Sequence, residues 1–251
     1  MGSLHPIDAA RQRVPARNWN PGWMRARWAW QPDHWLRMTT IAGLVEPAGS
    51  RPGTVADVGG RGHELDRLLR ATVTSVNVEP PCDVLVRPGP LPFPDRAFDA
   101  VTSSDVLEHI PEEQRGEHLA ELVRVARRRV VIGFPCGGEV KDRTERELQQ
   151  RLHRDYDISF DFLDEHVEHG LPRPEQVVAA VRAAAPGAAV SVAYHDGLEG
   201  DEVLLDAVRV LRRRDPAALL RFTRAWLVRR RPALVAVRSP SSNRAFVVAE
   251  L

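Results

Sequence analysis

Beyond Pro47–Pro52 the chain alternates short apolar runs with longer stretches in which apolar residues recur every three or four positions. The runs Thr54–Val58, Val73–Val78, Val84–Val86, Phe98–Ser103, Arg129–Phe134, Ala188–Tyr194 and Arg244–Leu251 are predicted as seven strands. Between them, helical periodicity predicts one helix after the first strand, with Leu65, Leu68 and Leu69 on one face. Others are predicted at Pro111–Arg127, with Leu119, Leu122, Val123 and Ala126 inward, at Glu139–Leu152, at Pro174–Ala185, and in an insertion at Asp201–Arg213 and Pro216–Arg229. A further helix at Asp33–Val45 carries Trp35, Leu36, Met38, Ile41, Ala42 and Val45 at helical spacing after a Pro-Asp start signal. Apolar strands interleaved with amphipathic helices make an α/β fold, a Rossmann-like, mostly parallel sheet with helices on both faces. The expected organisation is a Trp-rich arm and docking helix over 1–50, then one domain over 51–251 with helical insertions at about 139–173 and 198–242.

Composition narrows the partners. Thirty-five basic against 34 acidic residues give a net charge of +1, so no global field draws the chain to nucleic acid or an anionic membrane, and neither is expected as a partner. The runs Arg127–Arg129, Arg212–Arg214 and Arg229–Arg231 are read as solvated cations at helix ends. Cys82 and Cys136 lie far apart without metal-ligand spacing, which favours a reducing compartment, and with neither a signal-peptide pattern nor an 18-residue apolar stretch the expectation is a cytoplasmic protein.

The chemistry starts at Val55-Ala56-Asp57-Val58-Gly59-Gly60-Arg61-Gly62, strand then glycine turn, with Glu79 closing the next strand 22 positions after Asp57. Glycines let backbone approach a ligand, a following helix N-terminus favours its negative group, and a carboxylate ending the second strand can accept both hydroxyls of a ribose. By itself this pair of features describes an adenosine-type ligand.

Three further runs make the pattern specific. Asn77-Val78-Glu79, Leu91-Pro92-Phe93-Pro94-Asp95-Arg96-Ala97-Phe98-Asp99 and Ser103-Ser104-Asp105-Val106-Leu107-Glu108-His109-Ile110-Pro111 follow the glycine turn in order, and the set over roughly 53–136 resembles the motifs of class I methyltransferases that use S-adenosylmethionine (SAM). The resemblance implies a seven-stranded sheet whose last strand is antiparallel, with SAM across the carboxyl ends of the strands. It implies that Asp57, Gly59, Gly60, Arg61 and Gly62 hold the methionine portion, that Glu79 binds the ribose, and that Ser104 and Asp105 border the sulfonium. Where the family usually has glycine this chain has Arg61 and His63, and Arg61 is a candidate partner for the methionine carboxylate. Arg87-Pro88-Gly89 stands where relatives often place an acid for the adenine amine.

Phe162-Leu163-Asp164-Glu165-His166-Val167-Glu168-His169-Gly170-Leu171-Pro172 is similar to a segment of methyltransferases from glycan and glycosylated natural-product pathways, which points to a small, sugar-containing hydroxyl acceptor in a biosynthetic pathway. Methyl transfer to a weakly acidic alcohol calls for a base within reach of the hydroxyl. His109 is the first candidate, with Asp105 orienting it or binding acceptor hydroxyls and His166 entering from the insertion. The bland reading is that Glu108-His109 caps the next helix. At His166 and His169, with Asp164, Glu165 and Glu168, a metal site competes with a solvated charged surface, and no metal is expected. Trp19, Trp23, Trp28, Trp30 and Trp35 form either an aromatic lid or the glue of an arm docked on the domain or on a second subunit, which would make a homodimer. Two competitors stand beside the methyltransferase: a weakly SAM-binding or non-catalytic partner subunit of the same fold, and an NAD-dependent oxidoreductase, in which the Ser103–Pro111 run has no role.

Overall fold

The structure is a computed structural model that describes residues 32–61, 64–196, 200–227, 234–239 and 242–251. Gly62, His63 and four of the clustered tryptophans, Trp19, Trp23, Trp28 and Trp30, lie outside the described residues, so the lid and glue readings of the arm do too.

One sheet organises the chain. In order of sequence its strands are β1 (Thr54–Val58), β2 (Thr72–Asn77), β3 (Val84–Leu85), β4 (Phe98–Ser104), β5 (Ala126–Pro135), β6 (Ala189–Asp196), β7 (Leu234–Val235) and β8 (Ser242–Glu250). Their spatial order is β3-β2-β1-β4-β5-β8-β6-β7. β1 pairs in parallel with β2 on one side and β4 on the other, and β5 continues in parallel from β4. β8 inserts antiparallel between β5 and β6, as expected of a last strand. The eighth strand beyond the expected seven is β7, two residues antiparallel to β6, too short for any periodicity to announce it.

Alternation along the central strands feeds two cores. On one face Val58, Val101, Val130, Ile132 and Val247 pack with Leu119, Leu122 and Val125 of α2 (Glu112–Val125) and Val177 and Val181 of α5 (Pro174–Ala184). On the other, Val55, Ala100, Val131 and Phe246 receive Met38, Ile41, Ala42 and Val45 of α1 (Pro32–Val45). A third, smaller cluster joins Leu148 and Leu152 of α3 (Glu139–Tyr156), Leu163 of α4 (Asp161–His169) and Leu205 and Val208 of α6 (Gly200–Arg213). α7 (Pro216–Leu227) follows α6. No described helix is long and apolar enough to cross a membrane.

Two expectations change. The helix predicted after the glycine turn is a single 3₁₀ turn, Leu65–Arg67. Only the stretch between Gly60 and Thr72 is available there, and Leu65 and Leu69 reach the core without a longer helix because α1 covers that face. Arg127–Arg129 do follow a helix end, that of α2, but they lie in β5 and Arg129 is largely buried: Arg127 donates to Asp99 (2.7 Å), and Arg129 bonds the Leu44 carbonyl (3.0 Å) and pairs with Glu250.

Candidate active site

The chain reverses its direction of travel across the sheet between β1 and β4: β2 and β3 are added on one side, β4 on the other. The crevice beyond the carboxyl ends of β1 and β4 is therefore the place where an open α/β sheet takes a ligand. Asp57, Gly59, Gly60, Ser104 and Asp105 all lie there, and Glu79 lies just beyond β2 next door.

Asp57, next to last in β1, is buried. Burial, with Glu64 and Asp66 nearby and only partly offset by Arg37, pushes it up to about 7. Gly59 has φ +87°, and a β-carbon there would run into Val106; a β-carbon on Gly60 would overlap the Asp57 carboxylate. The turn is thus glycine for a stated reason at each position: one needs the left-handed backbone, the other the space over a buried acid. Asn77, at the end of β2, donates to the carbonyls of Gly59 (3.0 Å) and Gly60 (3.2 Å) and accepts from the Val78 amide (2.7 Å), fixing the turn. Sequence reasoning quoted Asn77 without giving it this task.

Glu79 is exposed, and its partner is Arg61 at 3.3 Å. Arg61, expected to meet a methionine carboxylate, is turned instead to the ribose acid. Both side chains are about two-thirds exposed, so the pair is weak and readily exchanged for a ligand. Among the described residues a 3₁₀ turn, Leu65–Arg67, stands in place of the helix expected after the turn, so no long helix there aims its N-terminus at an anion. Arg87, Pro88 and Gly89 are exposed.

Ser104 ends β4 with its hydroxyl oxygen buried and unpartnered. Asp105 follows with φ +53°, a left-handed conformation that Asp tolerates better than most residues. Its carboxylate is gripped by Arg37 of α1 and Arg244 of β8. Burial raises it, but Arg244 and Arg37 outweigh burial and hold it at about 2. Asp105 is thus engaged by two arginines, and it ties α1 and β8 to the end of β4. α1 is held a second time where His34 meets Glu64 (2.9 Å).

His109 closes a 3₁₀ turn, Leu107–His109. It does not cap α2, whose N-cap is Pro111 with no side-chain bond. Its Nδ1 meets Glu165 of α4 at 2.5 Å, and its ring lies 5.2 Å from that of His166. Burial lowers the His109 imidazole below its ordinary value despite the raising effect of Glu165. His166 is not a solvated surface residue: it is mostly buried, with Nδ1 at 3.2 Å from Glu145 of α3. Glu145, which Lys141 also pairs at 3.3 Å, stays below the usual glutamate range although burial pushes it up. His169 stands outside this group, and Asp164 is taken by Gln149 (2.6 Å).

Glu108, the residue before His109, is fully buried, with Oε2 unpartnered. Burial, reinforced by Asp105, raises its carboxyl well above the ordinary value. Arg115 of α2 assembles the whole group: its guanidinium donates to the carbonyls of Leu107 (2.9 Å), Ile110 (2.9 Å), His169 (3.1 Å) and Gly170, stapling the 3₁₀ turn to the end of α4. Arg124 performs a similar service for the Leu-Pro-Phe run, donating to the carbonyls of Leu91 (3.0 Å) and Phe93 (2.8 Å) and to Asp95 (2.8 Å).

Comparison with known proteins bears on the fold. Residues 60–133 match the family model described as a methyltransferase domain. No curated protein matches the sequence significantly. Among solved structures the chain is similar to a SAM-dependent methyltransferase from Archaeoglobus fulgidus (15% identity over 88% of this chain and 95% of that one, TM-score 0.50). It is also similar to a SAM-dependent methyltransferase from Thermotoga maritima (12% identity, 92% and 95% covered, TM-score 0.54). A third likeness is to phosphoethanolamine N-methyltransferase 2 of Haemonchus contortus in complex with SAM (14% identity, 99% and 60% covered, TM-score 0.52). At these identities the structural likeness is one of fold.

Proposed function

We propose, from the premise that this chain carries a class I SAM-dependent methyltransferase domain, that it methylates a hydroxyl oxygen of a small polar or glycosylated metabolite. The observation that carries the reading is the pairing of two groups at one end of the sheet. One is an acidic glycine cradle, Asp57-Gly59-Gly60 with Glu79 beside it; the other is an imidazole group, His109 and His166, just past β4.

The residues of the cradle fit SAM. Asp57 is a buried acid with Glu64 and Asp66 around it, a field that favours a cationic ligand, and SAM carries both an ammonium and a sulfonium. The same field, and the lack of a helix at the turn, disfavours the pyrophosphate of a dinucleotide, so the oxidoreductase reading loses its support. Bound SAM supplies an electrophilic methyl group on cationic sulfur. Around it, Asp57 would hold the ammonium and Glu79 the ribose hydroxyls, while Ser104 would border the reacting end. On the acceptor side, Glu165 and Glu145 hold the Nδ1 atoms of His109 and His166, leaving each Nε2 toward an acceptor hydroxyl. Lowering by burial keeps His109 neutral near pH 7, the state in which Nε2 can take up charge from the acceptor.

The test is methyl transfer from labelled SAM to a panel of hydroxyl acceptors, sugars and glycosides foremost. His109→Ala should lower turnover about 10²- to 10⁴-fold with SAM affinity little changed. A chain that binds SAM yet methylates only amines, or a His109→Ala variant as active as the parent, would contradict the acceptor assignment.

A further inference from the structure

We infer that Glu108, His109 and His166 form a binding site for one divalent transition-metal ion on the acceptor side of the crevice. One ligand atom from each of the three lies within 4.8 Å of the others. Three atoms each about 2.1 Å from one ion in a tetrahedral arrangement stand about 3.4 Å apart, so the three need to draw together by up to about 1.4 Å to share it.

Three independent features point to an ion rather than to a chance gathering of polar groups. Both imidazoles carry a carboxylate on one ring nitrogen: Glu165 meets Nδ1 of His109 at 2.5 Å and Glu145 meets Nδ1 of His166 at 3.2 Å. A carboxylate on the far nitrogen fixes the tautomer and leaves the Nε2 lone pair free, the outer arrangement that metal-bound histidines share. Next, Glu108 is 1% exposed and its Oε2 has no partner. A buried carboxylate oxygen without a partner is costly, and a cation is the partner that removes the cost. Finally, Arg115 spends four hydrogen bonds on carbonyls from the two segments that carry the ligands, so the geometry is held before any ligand arrives.

The donor set selects the ion. Two imidazole nitrogens and one carboxylate suit zinc, cobalt, manganese or iron better than magnesium or calcium, and three protein ligands leave positions open. His109 is 32% exposed, so the site is reached from solvent along that ring. The inference rests on the proposed methyl-transfer reading only for what the open positions take, which would be oxygens of the acceptor. In the loaded protein His109 and His166 are ligands, and the ion lowers the pKa of the bound hydroxyl, whose proton is then lost to water.

The experiment is a titration of the full chain with cobalt(II), read by ligand-field absorption, with zinc(II) competition followed by calorimetry. One cobalt per chain, displaced by one zinc, is expected. Glu108→Gln and His166→Asn should each abolish that site, Glu145→Gln and Glu165→Gln should weaken it about 10- to 100-fold, and His169→Gln should leave it unchanged. Folding of each variant is checked by circular dichroism. Should Glu108→Gln misfold, His166→Asn and Glu165→Gln decide, since neither alters a buried acid. Absence of cobalt and zinc binding by the folded parent, or binding that Glu108→Gln and His166→Asn leave intact, overturns the inference. Metal binding without methyl transfer would uphold the site and remove the activity reading; methyl transfer by a protein that binds no metal would do the reverse.

Discussion

Gly60 and Asp57 show how a single missing atom makes a site. A β-carbon on Gly60 has nowhere to go but into the Asp57 carboxylate. Gly60→Ala is therefore expected to destabilise the fold by about 1–3 kcal/mol through overpacking and to abolish SAM binding. The double variant Gly60→Ala with Asp57→Ala should recover most of the stability, measured by urea unfolding, and none of the binding. At Glu79 the prediction is purely one of affinity. Losing a charged acceptor for two ribose hydroxyls should weaken SAM by about 1.5–3 kcal/mol, with melting unchanged because its present bond to Arg61 is an exposed one. Equal affinity in the Glu79→Ala variant would remove Glu79 from the site. The residues hardest to read from sequence were the ones defined by distant partners. Asp105 had a motif position to recommend it, but the arginines that claim it come from residues 37 and 244, and nothing local announces either.

Between elements, the part to watch is the staple made by Arg115. Its guanidinium bridges the turn Leu107–His109 and the end of α4, so Arg115→Ala leaves several carbonyls without a donor at once. The expected cost is about 2–4 kcal/mol, and hydrogen exchange should show α4 opening well before the β4–β5 core. Uniform loss of protection across the sheet would contradict a local role. At this scale the sequence was informative where periodicity is long and local. β1 matches residue for residue, and α1, α5, α6 and α7 fall within a few residues of their predicted ranges, because each has an apolar face closed by Pro, Gly or a charged stretch. It failed where tertiary packing decides: three leucines after the glycine turn imitate a helix, yet α1 fills the space such a helix would cover. Glu108 failed differently, since an acid beside a helix start reads as a cap until the turn's true path buries it.

Over the whole molecule, the buried acid of the cradle couples stability to pH. The native state keeps a proton on Asp57 up to about pH 7, whereas the unfolded chain has released it near pH 4, so within that window the folded form binds more protons. Stability should accordingly fall as pH rises through the window, by up to about 1.4 kcal/mol per unit from this one group, and level off above it. Comparing urea midpoints at pH 5 and pH 7.5, the parent should lose more than Asp57→Asn, in which the proton cannot leave; identical pH dependence would contradict the assignment. Glu64, Asp66 and Arg37 are the charged groups that set this behaviour. Binding of a cationic ligand should act in the opposite sense, stabilising the ionised acid.

That linkage makes the central claim directly measurable. Isothermal titration calorimetry of the chain with SAM and with its demethylated product, S-adenosylhomocysteine, in buffers of different ionisation enthalpy, reads affinity, stoichiometry and proton release together. The account predicts one site per chain for both ligands, tightening between pH 5.5 and pH 7.5 with release of part of a proton, and a weaker site in Glu79→Ala. A folded protein that binds neither ligand at any pH would contradict it, and would leave the chain a methyltransferase fold used for something other than methyl transfer.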